Sequence, residues 1–460
     1  MQLGAWARGA GCVALAAAVA SSVPAHGQLR EGLAMFVLIG GLWVTQALPL
    51  AVTALAVPLL AVLAGVMPVR QALAPFAHPV IFLFLGGFAL GAALARQGLD
   101  RALARAVLRA ARGHRLAAAL LLGGLCALLS MWMSNTATAA MMLPLALSLL
   151  QGGEAEQASR PTAETSPQHP VGGREQAFVL LVLAYSASIG GIATLVGSPP
   201  NAIVAAQLNI GFAQWLRIGL PLALLLWPAM VVVLWVVLRP SLGGRVTLAA
   251  EPLEWTRERC LTVVIFLLTA AGWVAGAPLA AWLGVTGEID TLVGLVAMVA
   301  LTLSGALGWK DIERHTQWGV LLLFGGGLAL SDIMASTGAS SYLATGLLAV
   351  VRHAPPALLL LGMVTFVVLL TEMVSNTASA ALLLPVFLPV AAAIDLPPLA
   401  MGAAIAVAAS CAFMLPVATP PNALVFSTSL LPQGTMMRCG LWLNAVCIVT
   451  ITTFASGVWA

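Results

Sequence analysis

Charge is what this chain has least of. Asp, Glu, Lys and Arg make up 8% of its 460 residues, against 61% hydrophobic ones, whereas a water-facing domain needs roughly a quarter charged residues. A soluble fold is therefore excluded. The six cysteines show no C-x-x-C spacing and mostly sit in apolar stretches, which leaves core packing rather than a disulfide framework or a zinc site. Neither H-E-x-x-H nor G-x-S-x-G occurs, so a membrane-embedded enzyme finds no support in these signatures. The absence of alternating apolar and polar runs of about ten residues argues against a β-barrel.

What is present is a succession of apolar segments close to the ~20 residues that carry a helix across a bilayer. With a mean hydropathy of +1.02, the chain reads as an all-α polytopic membrane protein. About 11 transmembrane helices and two re-entrant helical hairpins fit its length and pattern.

The sequence repeats itself. MWMSNTATAAMMLPLAL at 131–147 lies over EMVSNTASAALLLPVFL at 372–388, a shift of 241. Upstream, GGFAL at 86–90 lies over GGLAL at 326–330, and downstream GSPPNA at 197–202 lies over ATPPNA at 418–423, shifts of 240 and 221. Three blocks in one order divide the chain into two related halves, as in many secondary transporters.

Arginines set the orientation. Arg96, Arg101, Arg105, Arg109, Arg112 and Arg115 crowd one connection, which the positive-inside rule places in the cytoplasm. Counting crossings from there puts 16 of the 20 Lys and Arg residues inside and leaves Arg30, Arg70, Arg217 and Arg352 outside. The expected helices run at about 10–24, 31–48, 51–67 and 78–96, then a basic surface-lying helix at 99–112 and a hairpin at 116–149. A polar linker at 151–175 follows, rich in Gly, Pro, Ser, Gln and Glu and expected in the cytoplasm. Beyond it come helices at 176–207, broken at 190–200, and at 215–238, 260–283, 289–307 and 318–335. A second hairpin at 356–393, a broken helix at 400–431 and a last helix at 440–459 complete the chain. Each hairpin holds two short segments with Ser-Asn-Thr at its tip, and the two open from opposite sides, so the halves are expected to be inverted. Residues 1–27 read either as a first membrane helix or as a signal peptide with Ala25 near a cleavage point.

The two triplets, Ser134-Asn135-Thr136 and Ser375-Asn376-Thr377, interrupt apolar runs. A non-helical turn at membrane depth is tolerated only where protein or a wet cavity covers it, because each unpaired backbone group costs on the order of several kcal/mol in hydrocarbon. Hydroxyls and amides repair such a turn and also supply donors to an anion, while Asn oxygens and freed carbonyls are hard ligands for a small cation. The helix that starts after the turn presents amides and a positive dipole end. Paired prolines at 199–200 and 420–421 unwind a second stretch in each half and expose the carbonyls before them. Turn plus unwound strand makes a cation cage, and two halves make two cages. No Lys or Arg lies within 15 residues of either triplet, so an anion there needs neutral donors, helix ends and co-bound cations. Ser130 and Thr371, four residues before the triplet serines, share their helix faces and join the cages. Glu372 is either a coupling carboxylate or a structural partner to backbone. Trp43, Trp132, Trp215, Trp255, Trp309, Trp318 and Trp442 fall near segment ends, where aromatic belts sit.

Taken together, these stretches resemble the divalent anion/sodium symporters, which carry dicarboxylates, citrate or sulfate. The likeness runs from about residue 31 onward through WVTQALPLAVTAL at 43–55, LFLGGFAL at 83–90, both triplets, ASIGGIATLVGSPPN at 187–201, LFGGGLAL at 323–330, TEMVSNTAS at 371–379 and LPVATPPNA at 415–423. The resemblance implies a homodimer in the inner (plasma) membrane, each protomer having a scaffold domain and a transport domain that moves elevator-fashion. The scaffold would comprise 1–115 and 239–355, and the transport domain 116–238 and 356–460. It further implies one Na⁺ site at Ser130, Ser134, Asn135 and Gly197 and another at Thr371, Asn376 and Ala418. Substrate carboxylates would meet Asn135, Thr136, Ser375, Asn376 and Thr377, with Ser198, Pro199, Thr419 and Pro420 lining the site. The implied activity is Na⁺-coupled import of a C4-dicarboxylate such as succinate, malate or fumarate, the rivals being dicarboxylate exchange or another divalent anion. Gln46 departs from the pattern, standing where the family commonly has Glu. The linker is longer than usual, and no soluble regulatory insertion is present, which disfavours the sulfate-type members.

Overall fold

The computed structural model describes residues 2–23, 28–158, 173–242, 254–350 and 355–459, and all regular structure among them is helical. The first half runs α1 (Gln2–Ser22), α2 (Leu29–Thr45), α3 (Leu50–Leu63), α4 (Val69–Leu73), α5 (Pro79–Arg96) and α6 (Leu99–Ala110). It continues with α7 (Arg115–Ser130), α8 (Asn135–Ala158), α9 (Gly173–Ile192), α10 (Pro199–Leu208) and α11 (Phe212–Leu238). The second half runs α12 (Arg257–Val274), α13 (Gly276–Leu283), α14 (Ile289–Leu303), α15 (Trp309–His315), α16 (Trp318–Ser336) and α17 (Ala339–Val350). It ends with α18 (Pro356–Thr371), α19 (Asn376–Ala393), α20 (Pro398–Ser410), α21 (Pro420–Ser427) and α22 (Gln433–Gly457). Elements α5 to α11 thus return in the same order as α16 to α22. Among the described residues, seven helices are long and apolar enough to cross a membrane, or eight if α12 and α13 count as one broken span. The chain is a multi-pass membrane protein.

Burial follows composition. α20 is built almost wholly of Ala, Gly, Ile, Val and Met and is buried from Ala400 to Ser410, as expected of a helix that is apolar all round. α9 is buried on every side from Ala177 to Ile192. These two helices form the centre, and the hairpins α7–α8 and α18–α19 pack around them. Small residues let them close up: a Cβ on Gly190 would lie 2.1 Å from the Ala127 carbonyl oxygen. Arg115 and Glu175, both buried, pair at 3.3 Å and tie the start of α7 to the start of α9, and the Ser241 hydroxyl donates to the same carboxylate at 2.7 Å.

Several expectations change. The single helix expected at 260–283 is instead α12 and α13, meeting at 89°. The bend has a tertiary cause, since a Cβ on Gly276 would come within 2.8 Å of Asp290 Oδ1. Asp290, at the start of α14, accepts from the Phe212 amide at 2.6 Å and, through its carbonyl, from Trp273 Nε1 at 2.8 Å. α8 runs on to Ala158 and α9 starts at Gly173, so helix replaces both ends of the expected polar linker; 159–172 lie outside the described residues, as do Arg160, Arg245 and Arg352. The belt reading fails for Trp43 and Trp215, both fully buried, whose indoles donate to the carbonyls of Leu50 and Ile192 at 3.3 and 3.1 Å. Trp132 is half-buried and stacks on Phe212 and Trp273. Trp255, Trp309, Trp318 and Trp442 are exposed. α1 packs on α2, with Cys12 Sγ against the helix face opened by Gly41.

Candidate functional site

Both triplets sit where helix gives way to turn. α7 stops at Ser130, four residues turn, and α8 starts at Asn135; α18 stops at Thr371 and α19 starts at Asn376. α9 and α10 are separated by 193–198, and α20 and α21 by 411–419, because Pro199 and Pro420 begin new helices at the position where a missing amide hydrogen costs nothing. Asn201 and Asn422 fasten these unwound stretches. Asn201 Nδ2 donates to the carbonyls of Gly191, Ile192 and Thr194 at 3.0, 3.2 and 2.7 Å, and Asn422 Nδ2 to those of Ala412 and Leu415 at 3.1 Å each. Thr194 and Thr419 hydroxyls accept from the amides of Gly197 and Asn422 at 3.1 and 3.3 Å.

One cavity of about 310 Å³ brings the two halves together. Ser134, Asn135, Thr136, Gly197, Ser198 and Pro199 line it from the first half, and Ser375, Asn376, Thr377, Ala418, Thr419 and Pro420 from the second. None of its lining residues carries a formal charge. The Ser198 and Ser410 hydroxyls meet at 3.0 Å, joining the halves beside the cavity. Ser130 and Thr371 do not line it. They lie one layer behind, fully buried, and contact the triplet asparagines in matching fashion. Ser130 Oγ is 2.6 Å from both the Asn135 side-chain amide and the Ala187 carbonyl; Thr371 Oγ1 is 2.8 Å from both Asn376 Oδ1 and the Ala409 carbonyl.

The first cluster is closed by the Asn135 amide, whose Nδ2 donates to Ser130 Oγ and to the carbonyls of Ala187 and Gly197, at 2.6, 3.0 and 3.1 Å. Were the amide turned so that its oxygen faced these groups, they would together be hard oxygen ligands for a small cation. Gly191 and Gly197 are what let the cluster close. A Cβ on Gly191 would sit 2.5 Å from the Asn135 side-chain amide, and one on Gly197 would sit 2.6 Å from the Gly191 carbonyl.

Glu372 resolves toward its structural alternative. Its buried carboxylate accepts from the amides of Phe413, Met414 and Leu415 at 2.8, 2.9 and 3.0 Å and from Asn444 Nδ2 at 2.7 Å. It anchors the unwound stretch behind the second triplet. At the corresponding position of the first half stands Met131, whose carbonyl takes the Thr194 hydroxyl. Residues that sequence reasoning left out of the site include Phe88, Gln317, Met373 and Val417, which also line the cavity, together with Gln46. Asn201 and Asn422 were legible as members of the repeated P-P-N, although their fastening role was not.

Known proteins resemble this chain over most of its length. A family profile described as citrate transporter matches residues 41–385 and 291–459. An uncharacterized transporter of Haemophilus influenzae is 43% identical over 444 residues, covering 95% of this chain and 93% of that protein. An uncharacterized transporter of Methanocaldococcus jannaschii is 34% identical, covering 97% of each. A sodium-dependent dicarboxylate transporter of Staphylococcus saprophyticus is 32% identical over 450 residues, covering 91% of this chain and 84% of that protein.

Proposed function

We propose, from the premise that this chain belongs to the divalent anion/sodium symporter family, that it imports a C4-dicarboxylate such as succinate, malate or fumarate together with Na⁺. The family and its members here are transporters rather than enzymes, and the protein is a multi-pass transporter of the plasma membrane. One observation carries the finer reading: a single cavity without formal charge is walled by both Ser-Asn-Thr turns, each backed by an oxygen cluster. A dianion drawn into such a cavity needs positive charge that the lining residues do not supply, and alkali ions in the clusters provide it. Ser130, Ser134, Asn135 and Gly197 hold one Na⁺, and Thr371, Asn376 and Ala418 the other. Hydroxyls and amides of Asn135, Thr136, Ser375, Asn376 and Thr377, with the starts of α8 and α19, receive the carboxylates. Ser198, Pro199, Thr419 and Pro420 close the site.

On this reading the halves are inverted, the hairpins are re-entrant, and 116–238 with 356–460 move as one transport domain against a scaffold of 1–115 and 239–355 in a homodimer. The fused centre supports a common moving body: besides Ser198 and Ser410, the Tyr185 hydroxyl donates to the Phe413 carbonyl at 2.6 Å. A second reading, carriage of citrate, is favoured by the citrate-transporter profile that the chain matches, and exchange of dicarboxylates is the rival to symport. Uptake of labelled succinate into proteoliposomes separates them. Import driven by an inward Na⁺ gradient without internal dicarboxylate is expected; import that ignores Na⁺ and requires internal dicarboxylate defeats the symport reading.

A further inference from the structure

α6 carries three arginines, Arg101, Arg105 and Arg109, at four-residue spacing, so they form one stripe along a 12-residue helix. Leu99, Asp100, Ala104 and Leu108 are buried, on a face that adjoins the stripe. No ion pair ties Arg101 or Arg109 to another described residue. Beside the stripe lies a groove of about 600 Å³ that is apolar except at one end. Leu103 and Ala106 of α6, Leu128 of α7, Trp132 of the first turn, Trp255 just before α12 and Phe266 within it are among its walls, and Arg109 is the one charged residue lining it. Leu103, Leu128 and Trp255 are exposed.

We propose that this groove is a binding site for an anionic phospholipid of the cytoplasmic leaflet, its phosphate at Arg109 and an acyl chain along the groove toward Trp132. The combination selects the ligand. A free phosphate would use the guanidinium but leave the apolar walls bare, and a neutral lipid would fill the walls but leave the cation unmatched. The positive-inside rule puts this helix on the leaflet that is rich in negative headgroups, and an amphipathic basic helix lying in the interface meets them there. Because Trp132 lies two residues before Ser134 and stacks on Phe212 and Trp273 at 5.9 and 6.2 Å, the bound chain rests against the same turn that builds the first oxygen cluster.

The test is native mass spectrometry on the delipidated full-length protein. Phosphatidylglycerol, phosphatidylcholine with the same chains, and glycerol phosphate as the headgroup alone are added in turn. The expected result is preferential retention of phosphatidylglycerol, lowered about fivefold by Arg109→Gln, as one surface arginine is worth toward anionic lipid. Arg314→Gln, an exposed arginine outside the groove, should not lower it. Ala106→Trp, which fills the groove and keeps every charge, should lower it as well. Equal retention of the two lipids overturns the proposal, as does unchanged retention in both groove variants. Competition by glycerol phosphate as strong as by the whole lipid makes this a phosphate site instead, and a dimer that Ala106→Trp splits makes it a subunit contact.

Discussion

On the proposed reading Asn135 serves both ion and substrate through one amide, which makes its chemistry the most exposed to substitution. Asn135→Ala and Asn376→Ala each remove an oxygen from a cluster and a donor from the cavity, and both are expected to abolish succinate uptake while the purified protein stays folded and monodisperse. Unaltered uptake in both variants would refute the assigned roles. Gly191→Ala places a methyl group 2.5 Å from the Asn135 side-chain amide. The expected result is a rise of about tenfold in the Na⁺ concentration for half-maximal uptake, equivalent to ~1.4 kcal/mol; an unchanged Na⁺ dependence would remove the first cluster from ion binding. Glu372→Gln replaces one acceptor oxygen with an NH₂ group in a pocket where four N–H donors already converge. Such a buried mismatch costs about 3 kcal/mol, so a thermal melt should show a clearly lowered midpoint. A melt like that of the parent protein would mean that the unwound stretch holds without it.

At the scale of elements, α6 contains its own liability. Asp100 lies in its first turn, 1% exposed, with neither carboxylate oxygen hydrogen-bonded. Burial pushes its carboxyl above the usual carboxylate range, opposed in part by the nearby backbone amides of Arg101 and Asp100 and by the Arg101 charge. The folded state therefore holds this proton more tightly than the unfolded chain. Stability from this residue is lost as pH rises from the ordinary carboxylate range through the raised value. Asp100→Asn should raise the melting midpoint at pH 7, with the gain vanishing below the ordinary carboxylate range; a gain independent of pH would assign the effect to packing. The arginine stripe that makes α6 visible in the sequence also explains why its counterpart α17 went unassigned, since Ala339–Val350 carries no charge at all. The hairpins and broken helices were legible because their causes are local, a polar triplet or paired prolines in an apolar run. The bend between α12 and α13 was not, because Asp290 approaches Gly276 from 14 residues away and nothing beside Gly276 announces it. The buried tryptophans misled for a similar reason: Trp43 and Trp215 read as belt residues until their indoles found carbonyls inside the protein.

For the whole molecule, packing makes a plain chemical prediction. Of the six cysteines, Cys260 is exposed and the other five are buried, so a bulky maleimide should modify one thiol per folded chain and reach the rest only after denaturation. Several modified thiols in the native protein would contradict the packing of α9, α20 and α22 around the centre. On the proposed reading that centre also governs what crosses the bilayer. Cavity walls without a formal charge would let an unladen carrier reset without hauling a fixed charge through oil. By the same token, if the carrier is the sodium symporter proposed above, only neutral donors would hold a dianion after its alkali companions depart, and unloading would be set by the scarcity of sodium in the cell interior.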